Sequence, residues 1–362
     1  MYMDDGFDVD VDVAVVGGGP AGLTAALYTT RLGLDTLVLD RGGGRAAMMT
    51  DTHNVIGVTE DVTGNEFLGT AREQVEEYGG EVRRGFVDDV APIEPDDPAA
   101  GFRLDTTEGD LHARRVVLAT GFSDGRPDPP LPRTGRGLHW CLHCDAYMFV
   151  DEPVFVMGTD DAAAHVAMIM LNFTDDVDLL TRGEEPQWSA ETADQLEAHP
   201  VDVVDAEITG MNKDESGWLE SYEFADGAVR TYRGGFPMLG SEYNADLVDS
   251  LGLDRHDDGT VAVDDDGETS VPGVYAVGDL TPGHNQIPVA MGEGADAGIA
   301  IHIDLRAFPR SAEELETEGS VGEAEVPALS EELLATAITH EGHAGGPRPG
   351  DPTPTDGTPA DD

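Results

Sequence analysis

The feature that most constrains this chain is a run of small residues near its start, Gly17-Gly18-Gly19-Pro20-Ala21-Gly22. The run fits G-x-G-x-x-G. It follows a β-branched stretch at 12–16, opens a helical pattern at 21–32 and precedes a second apolar run at 35–39. Strand, glycine turn, helix and strand in that order make a βαβ start. Gly17 allows the tight turn, Gly19 lets backbone approach a pyrophosphate, and Gly22 lets the helix lie close on the strand. The N-terminus of the helix then offers free N–H groups to phosphate. Asp40 closes the second strand, where a carboxylate accepts from a ribose 2′-hydroxyl. A lone glycine run is a weak signal, but here strand, turn, helix, strand and acid agree on a dinucleotide site.

A length of 362 residues exceeds what one core holds, so about two domains are expected. Beyond the first unit, 51–69 reads as a loop and 66–78 as a helix. Residues 81–90 and 102–107 read as strands of a small antiparallel layer. Residues 115–118 form a short buried strand ending in Ala119-Thr120-Gly121, and the proline-rich stretch 126–133 is a connector. A weaker repeat of the first unit begins at Pro153, with a strand at 154–157, a helix at 162–172 and a strand at 177–180. A last buried strand, 274–277, runs into Gly278-Asp279 and a helix at 292–303. After Pro309 the pattern decays. Thirteen acidic and two basic residues fall between 309 and 362. Such a segment cannot bury enough apolar surface to offset its chain entropy, so 309–362 reads as an acidic, largely disordered tail with a short helix at 330–339.

Charge excludes several functions. The chain carries 73 acidic and 20 basic residues, a formal charge of −53. That balance excludes nucleic-acid binding by counterion release and docking on an anionic membrane. No apolar run reaches the roughly 18 residues of a membrane span, and the acidic start carries no secretory signal. A cytoplasmic protein is expected. One lysine, Lys213, stands against nineteen arginines, and aspartate runs such as Asp264-Asp265-Asp266 recur. At molar salt, where the Debye length is about 3 Å, this repulsion is screened. The composition resembles the haloarchaeal, halophilic pattern.

The only two cysteines stand three apart in Trp140-Cys141-Leu142-His143-Cys144-Asp145. In Cys-x-x-Cys one thiol stabilises the thiolate of the other, and the pair can close an easily reduced disulfide. Asp145 follows directly and can exchange a proton with a leaving thiolate. Two other readings stay open. His139, Cys141, His143 and Cys144 are four metal-ligand types, although they crowd together where zinc sites use two separated pairs. The cysteines could also be inert and buried.

Taken together, the Gly17 motif, Asn54 to Gly57, Ala119-Thr120-Gly121, Cys141-x-x-Cys144-Asp145, Gly278-Asp279 and Asn285-Gln286-Ile287 resemble the low-molecular-weight thioredoxin reductase family over residues 10–308. The larger disulfide reductases place two cysteines five apart in the first domain, and this chain has no such pair. The resemblance implies an α/β fold with two Rossmann-like, three-layer dinucleotide-binding domains. An FAD domain, 1–122 and 240–308, is split by an inserted domain, 123–239, that carries the disulfide and an NAD(P)H-type site. It implies FAD held by the glycine motif with Asp40, Asn54, Thr120 and Gly121, by Asp279 after Gly278 on the ribityl chain, and by Gln286 and Ile287. Cys144 would take electrons from the flavin, Cys141 would attack a thioredoxin or glutaredoxin-like protein, and Asp145 would be the acid–base group. A homodimer whose second domain rotates is also implied.

Two departures bear on the electron donor. The second glycine motif reads Gly158-Thr159-Asp160-Asp161-Ala162-Ala163, with Asp160 where backbone should approach a pyrophosphate. Where the family clusters arginines for the NADPH 2′-phosphate, only Arg182 remains, beside Glu184 and Glu185. NADPH, NADH, ferredoxin and a reduced deazaflavin all stay open as donors. His143 and Ala146 also replace residues common in the family. Two classes of function remain at this stage: a flavin enzyme reducing a protein disulfide, and a non-catalytic redox-sensing module with a partner-binding tail.

Overall fold

The computed structural model describes residues 10–95, 97–126 and 131–340. The strand β1 (Asp10–Val16) runs through the Gly17 turn into α1 (Pro20–Arg31) and returns as β2 (Thr36–Asp40), paired parallel with β1. Val13, Ala14 and Val15 are fully buried, as expected of a parallel strand covered on both faces. The helix α2 (Gly64–Glu77) starts at a capping box: Thr63 Oγ1 accepts from Glu66 N, and Glu66 Oε2 accepts from Thr63 N. It leads to β3 (Glu81–Arg84), β4 (Val87–Pro92), β5 (Phe102–Thr106) and β6 (Gly109–Leu118).

The stretch 81–90, expected as one strand of an antiparallel layer, divides at Gly85. β3 lies parallel beside β2, whereas β4 pairs antiparallel with β5. A helical crossover such as α2 returns a chain parallel to its starting strand. The sequence pattern identifies strands but not their neighbours. β6 is also longer than expected. Its first half pairs with β5, and its second half pairs parallel with β1 and with the distant strand at 274–276.

A short strand β7 (Phe122–Asp124) leads out of this sheet, and the one-turn helix α3 (Leu142–Asp145) carries the cysteines. A second sheet follows, with β8 (Val154–Met157), α4 (Asp161–Met170), β9 (Val177–Leu180), α5 (Ala190–Ala198) and β10 (Asp202–Val204). An antiparallel layer of β11 (Ile208–Lys213), β12 (Leu219–Phe224) and β13 (Val229–Thr231) packs on it through Phe155, Tyr222 and Tyr232. β14 (Gly234–Pro237) completes the parallel order β10-β9-β8-β14. The chain returns through β15 (Ser241–Tyr243), antiparallel to β7, then α6 (Asp246–Leu251) and β16 (Val274–Ala276), the strand that closes the first sheet. The fold is α/β with two main sheets: the first is parallel through β3, β2, β1, β6 and β16 and carries β5 and β4 as an antiparallel extension, and the second is parallel throughout. The connector expected at 126–133 falls partly outside the described residues.

The last long helix, α7 (Ile287–Leu305), begins earlier than the expected 292 because Pro288 sits in its first turn, where its missing N–H costs nothing. α7 crosses α1 at close range. A methyl at Gly294 would lie 2.2 Å from Ala21 O, and one at Gly298 would lie 2.8 Å from Tyr28 Cβ. Two helices can approach this closely only where side chains are absent.

The segment after Pro309 departs from the expectation of an unpacked tail. It forms α8 (Ala312–Glu318) and α9 (Glu331–Thr339), and the second of these coincides with the short helix expected there. Leu329 sits against Gly33, Thr336 lies over Gly79, and His340 stacks on Tyr78 at 4.3 Å. Gly33 and Gly79 follow α1 and α2 with φ of +89° and +94°. Their missing side chains leave shallow seats for these few residues. Residues 341–362 lie outside the described residues. Among the described residues no helix is long and apolar enough to cross a membrane.

Candidate functional site

A cavity of about 550 Å³ opens at the carboxyl ends of β1, β2, β6 and β16, where open parallel sheets bind ligands. Gly17, Gly19, Pro20, Ala21, Asp40, Asn54, Thr120, Gly121, Gly278, Asp279, Gln286 and Ile287 all line it. So do Cys141, Cys144 and Asp145. Gly22 does not line the cavity. A methyl there would lie 2.0 Å from Gly17 O, so it serves the helix–turn contact beneath the wall.

The glycine turn has the geometry a pyrophosphate needs. Gly17 has φ +113°, and a Cβ on it would lie 2.3 Å from Ala119 O. A Cβ on Gly19, by contrast, would meet no atom within 4 Å. The first glycine is therefore required by the protein itself, whereas the second keeps a space clear beside the N-terminus of α1. That open cradle fits the phosphates of FAD. Asp40 sits at the far rim. Its Oδ1 accepts from Gly42 N at 3.1 Å and its Oδ2 from Arg72 at 3.2 Å.

Three residues of the site carried no signal in the sequence. Arg45 reaches Asp279 at 3.3 Å and Asp124 at 3.0 Å, with its guanidinium 4.5 Å from the centre of the Phe122 ring. Burial pushes the Asp279 carboxyl above its usual range, and Arg45 opposes that rise. Glu293, on α7, accepts from Gly278 N at 2.7 Å and from the Thr281 hydroxyl at 3.1 Å, so it shapes the turn that presents Asp279. Burial raises its carboxyl as well. Asn244 ties the two passages between the sheets. Its amide donates to Thr120 O at 2.7 Å, and its own carbonyl accepts from the Thr120 hydroxyl at 2.9 Å. Each partner lies twelve or more residues away in sequence, so no local pattern announces it.

Cys141 and Cys144 form a disulfide with Cα atoms 5.3 Å apart. Cys141 is the N-cap of α3, and its Sγ accepts from Cys144 N at 3.1 Å. The disulfide meets the first sheet's loops through Gln286. Gln286 Oε1 accepts from Asn54 at 2.8 Å, and Gln286 Nε2 reaches Cys141 Sγ at 3.4 Å. Asp145 Oδ2 lies 2.9 Å from His139 Nδ1. The cavity therefore brings together a dinucleotide cradle, a reducible disulfide and a carboxylate.

The second glycine turn differs. Gly158 keeps its place: a Cβ there would lie 2.5 Å from Met238 O. Asp160, however, caps α4, and its Oδ1 accepts from Ala163 N at 2.9 Å. The side chain thus occupies one of the N–H groups a phosphate would use. The chain then folds over this turn: Gln187 N donates to Thr159 O at 2.6 Å, and Ser189 N donates to Asp161 Oδ1 at 2.9 Å. Arg182 is paired with Glu184.

A two-sheet α/β chain with these parts in one cavity is a flavin-type disulfide oxidoreductase. Residues 11–294 match the model of the pyridine nucleotide-disulphide oxidoreductases, and the chain belongs to that family. It is 30% identical to a thioredoxin reductase of Peptoclostridium litorale over 306 residues, covering 80% of this chain and 95% of the relative. The solved structure of HlmI is similar at 31% identity and a TM-score of 0.76, over 83% of this chain and 93% of that one. The thioredoxin reductase of Streptococcus pyogenes is similar at 26% identity and the same TM-score of 0.76, over 83% and 100%. Within its family the chain is a thioredoxin-reductase-like, FAD-dependent enzyme acting on a disulfide.

Proposed function

We propose that the enzyme passes electrons through FAD to the Cys141–Cys144 disulfide and on to a thioredoxin or glutaredoxin-like protein. The observation that carries this reading is that the disulfide and the Gly19 cradle face one cavity. The FAD domain would comprise the chain up to residue 122 together with 240–308. The inserted domain, 123–239, would carry the disulfide. The division is supported by the strands themselves, since those of the second sheet all fall between 154 and 237.

Bound FAD would supply a two-electron store for the disulfide. Gly17, Gly19, Pro20 and Ala21 would form its phosphate cradle, with Gly22 holding the turn against the helix beneath it; Asp40 would take the ribose, and Thr120, Gly121, Gly278, Asp279, Asn54, Gln286 and Ile287 would complete the site. With the disulfide reduced, Cys144 would be the sulfur facing the flavin site and Cys141 the attacking thiolate. Cys141 Sγ bonds to one sulfur of the partner's disulfide, whose S–S bond breaks. Asp145 delivers a proton to the sulfur that leaves. Cys144 then attacks Cys141 Sγ, which restores the internal disulfide and releases the reduced partner.

The capped turn at Asp160 and the Arg182–Glu184 pair speak against NADPH as an efficient donor. A ferredoxin or a reduced deazaflavin would deliver electrons without that turn. We further propose a homodimer, without nucleic-acid or membrane partners, working in a salt-rich cytoplasm. Support for the last point is the charge of −53, which dilute solution would leave unscreened. The deciding experiment is anaerobic titration of the purified holoenzyme at molar salt with NADPH, NADH and reduced ferredoxin, following flavin bleaching and thioredoxin reduction. Flavin that bleaches without any reduction of a protein disulfide would overturn the reading.

A further inference from the structure

His139 stands two residues before the disulfide, and in the sequence it figures only as one of four crowded metal-ligand types. The structure gives it another neighbour. Its Nδ1 lies 2.9 Å from Asp145 Oδ2. The ring is 5% exposed, edge-on to Phe149 at 5.1 Å between centroids and tilted against Phe236 at 6.2 Å. Its backbone N–H donates to Gly235 O at 3.0 Å, which anchors the residue to β14. Nε2 is buried and has no hydrogen-bond partner.

These contacts select one tautomer. With the proton on Nε2, a buried donor would be left unpaired, and the Nδ1 lone pair would face an ionised carboxylate. Both arrangements cost free energy. With the proton on Nδ1, the imidazole donates to Asp145 and only a lone pair lacks a partner. Of the two tautomers, the Nδ1–H form is therefore the one that donates to Asp145. With one lone pair of Oδ2 engaged by this donor, Oδ1 is the less encumbered oxygen for a proton.

We propose that His139 is the positioning residue of the thiol chemistry: it anchors Asp145 to β14, occupies Oδ2 and leaves Oδ1 to exchange the proton with the cysteine sulfurs. The inference rests on the reading of Asp145 as the acid–base group. It assigns His139 no contact with the partner protein and no electron.

The test uses two polar replacements that fill the same pocket. In His139→Asn the amide nitrogen falls near the former Nδ1, so the donor to Asp145 is kept. In His139→Gln the amide reaches the former Nε2 position, and that donor is lost. Holoenzyme reduced anaerobically with stoichiometric dithionite is mixed with oxidised thioredoxin, and the single-turnover rate is followed against thioredoxin concentration. This assay needs no knowledge of the physiological donor. His139→Gln should lower the limiting rate by about tenfold, part of the 10²–10⁴ range of general acid–base catalysis, with half-saturation unchanged. His139→Asn should stay within about threefold of wild type. Combining His139→Gln with Asp145→Asn should cost no more than Asp145→Asn alone, because the two side chains act as a unit.

Equal rates in the Asn and Gln variants, high or low, would overturn the proposal, as would losses that multiply in the double variant. An unimpaired Asp145→Asn enzyme would instead sink the acid–base reading, and His139 with it. Impaired Asp145→Asn beside unimpaired His139→Gln would leave that reading standing and remove only His139.

Discussion

Gln286 Nε2 stands 3.4 Å from Cys141 Sγ although 145 residues separate the two in the chain. The contact holds the disulfide against the loop that opens α7, on the cavity side. Cys144→Ser should therefore abolish reduction of thioredoxin yet leave flavin reduction by a direct donor intact. Cys141→Ser should leave a Cys144 thiolate beside the flavin, visible as a long-wavelength charge-transfer band. Normal thioredoxin reduction by both variants would refute the catalytic assignment.

Gly17 and Gly19 should separate folding from binding. Alanine at 17 meets Ala119 O at 2.3 Å in a backbone with φ +113°, so Gly17→Ala should destabilise the apoprotein by a kcal/mol or more, on the order of the cost of such strain. Alanine at 19 meets no protein atom within 4 Å. Gly19→Ala should fold normally but bind FAD about tenfold or more weakly, about 1.4 kcal/mol. Apoprotein melting curves and FAD titration distinguish the two. Equal FAD affinity in Gly19→Ala and wild type would argue that the phosphates lie elsewhere.

Turnover with NADPH should be poor, with little preference over NADH. Each lost charge-assisted hydrogen bond is worth roughly 1.5–3 kcal/mol, so two such losses weaken binding by about 10² to 10⁴. Asp160→Gly should improve both nucleotides, while exchanging an N-cap for glycine costs α4 only a few tenths of a kcal/mol. Glu184→Arg with Glu185→Arg should improve NADPH alone, and the first change also frees Arg182 from its partner. Arginine at 183 is a poor choice because Gly183 has φ +79°. Efficient reduction of the wild-type enzyme by micromolar NADPH at molar salt would show that another part of the domain binds the nucleotide.

Glu293 should give the stability profile a recognisable pH dependence. Burial raises its folded-state pKa. Its contribution is then complete below the unfolded-state pKa and is lost as pH rises through the folded-state value. Glu293→Gln keeps an oxygen for Gly278 N and Thr281 but carries no charge. The variant should melt about 1–2 °C above wild type near neutral pH. The two should converge as pH falls toward the usual glutamate range of about 4. Thermal unfolding of the holoprotein across that range is the measurement, and a gain that grows toward acid would contradict the assignment.

The sequence by itself determined those parts of the molecule that local chemistry dictates. Gly17 and Gly22 announced the first turn because only glycine tolerates their contacts, Gly19 because it keeps the space beside α1 clear, and period and β-branching marked the strands around them. Cys141, Cys144 and Asp145 were legible because their chemistry needs only neighbours in the chain. Tertiary structure alone decided what depends on partners far apart in sequence. β3 pairs with β2 because α2 crosses over, not because of any pattern in residues 81–84. Leu329 and Thr336 pack where the glycines after α1 and α2 leave room for them, and His340 stacks on Tyr78 beside them. Arg45, Asn244 and Glu293 look like ordinary surface or loop residues in the sequence, and His139 reads there only as one of several metal-ligand types. A polar side chain acquires its role from the atom it faces, and folding fixes that atom.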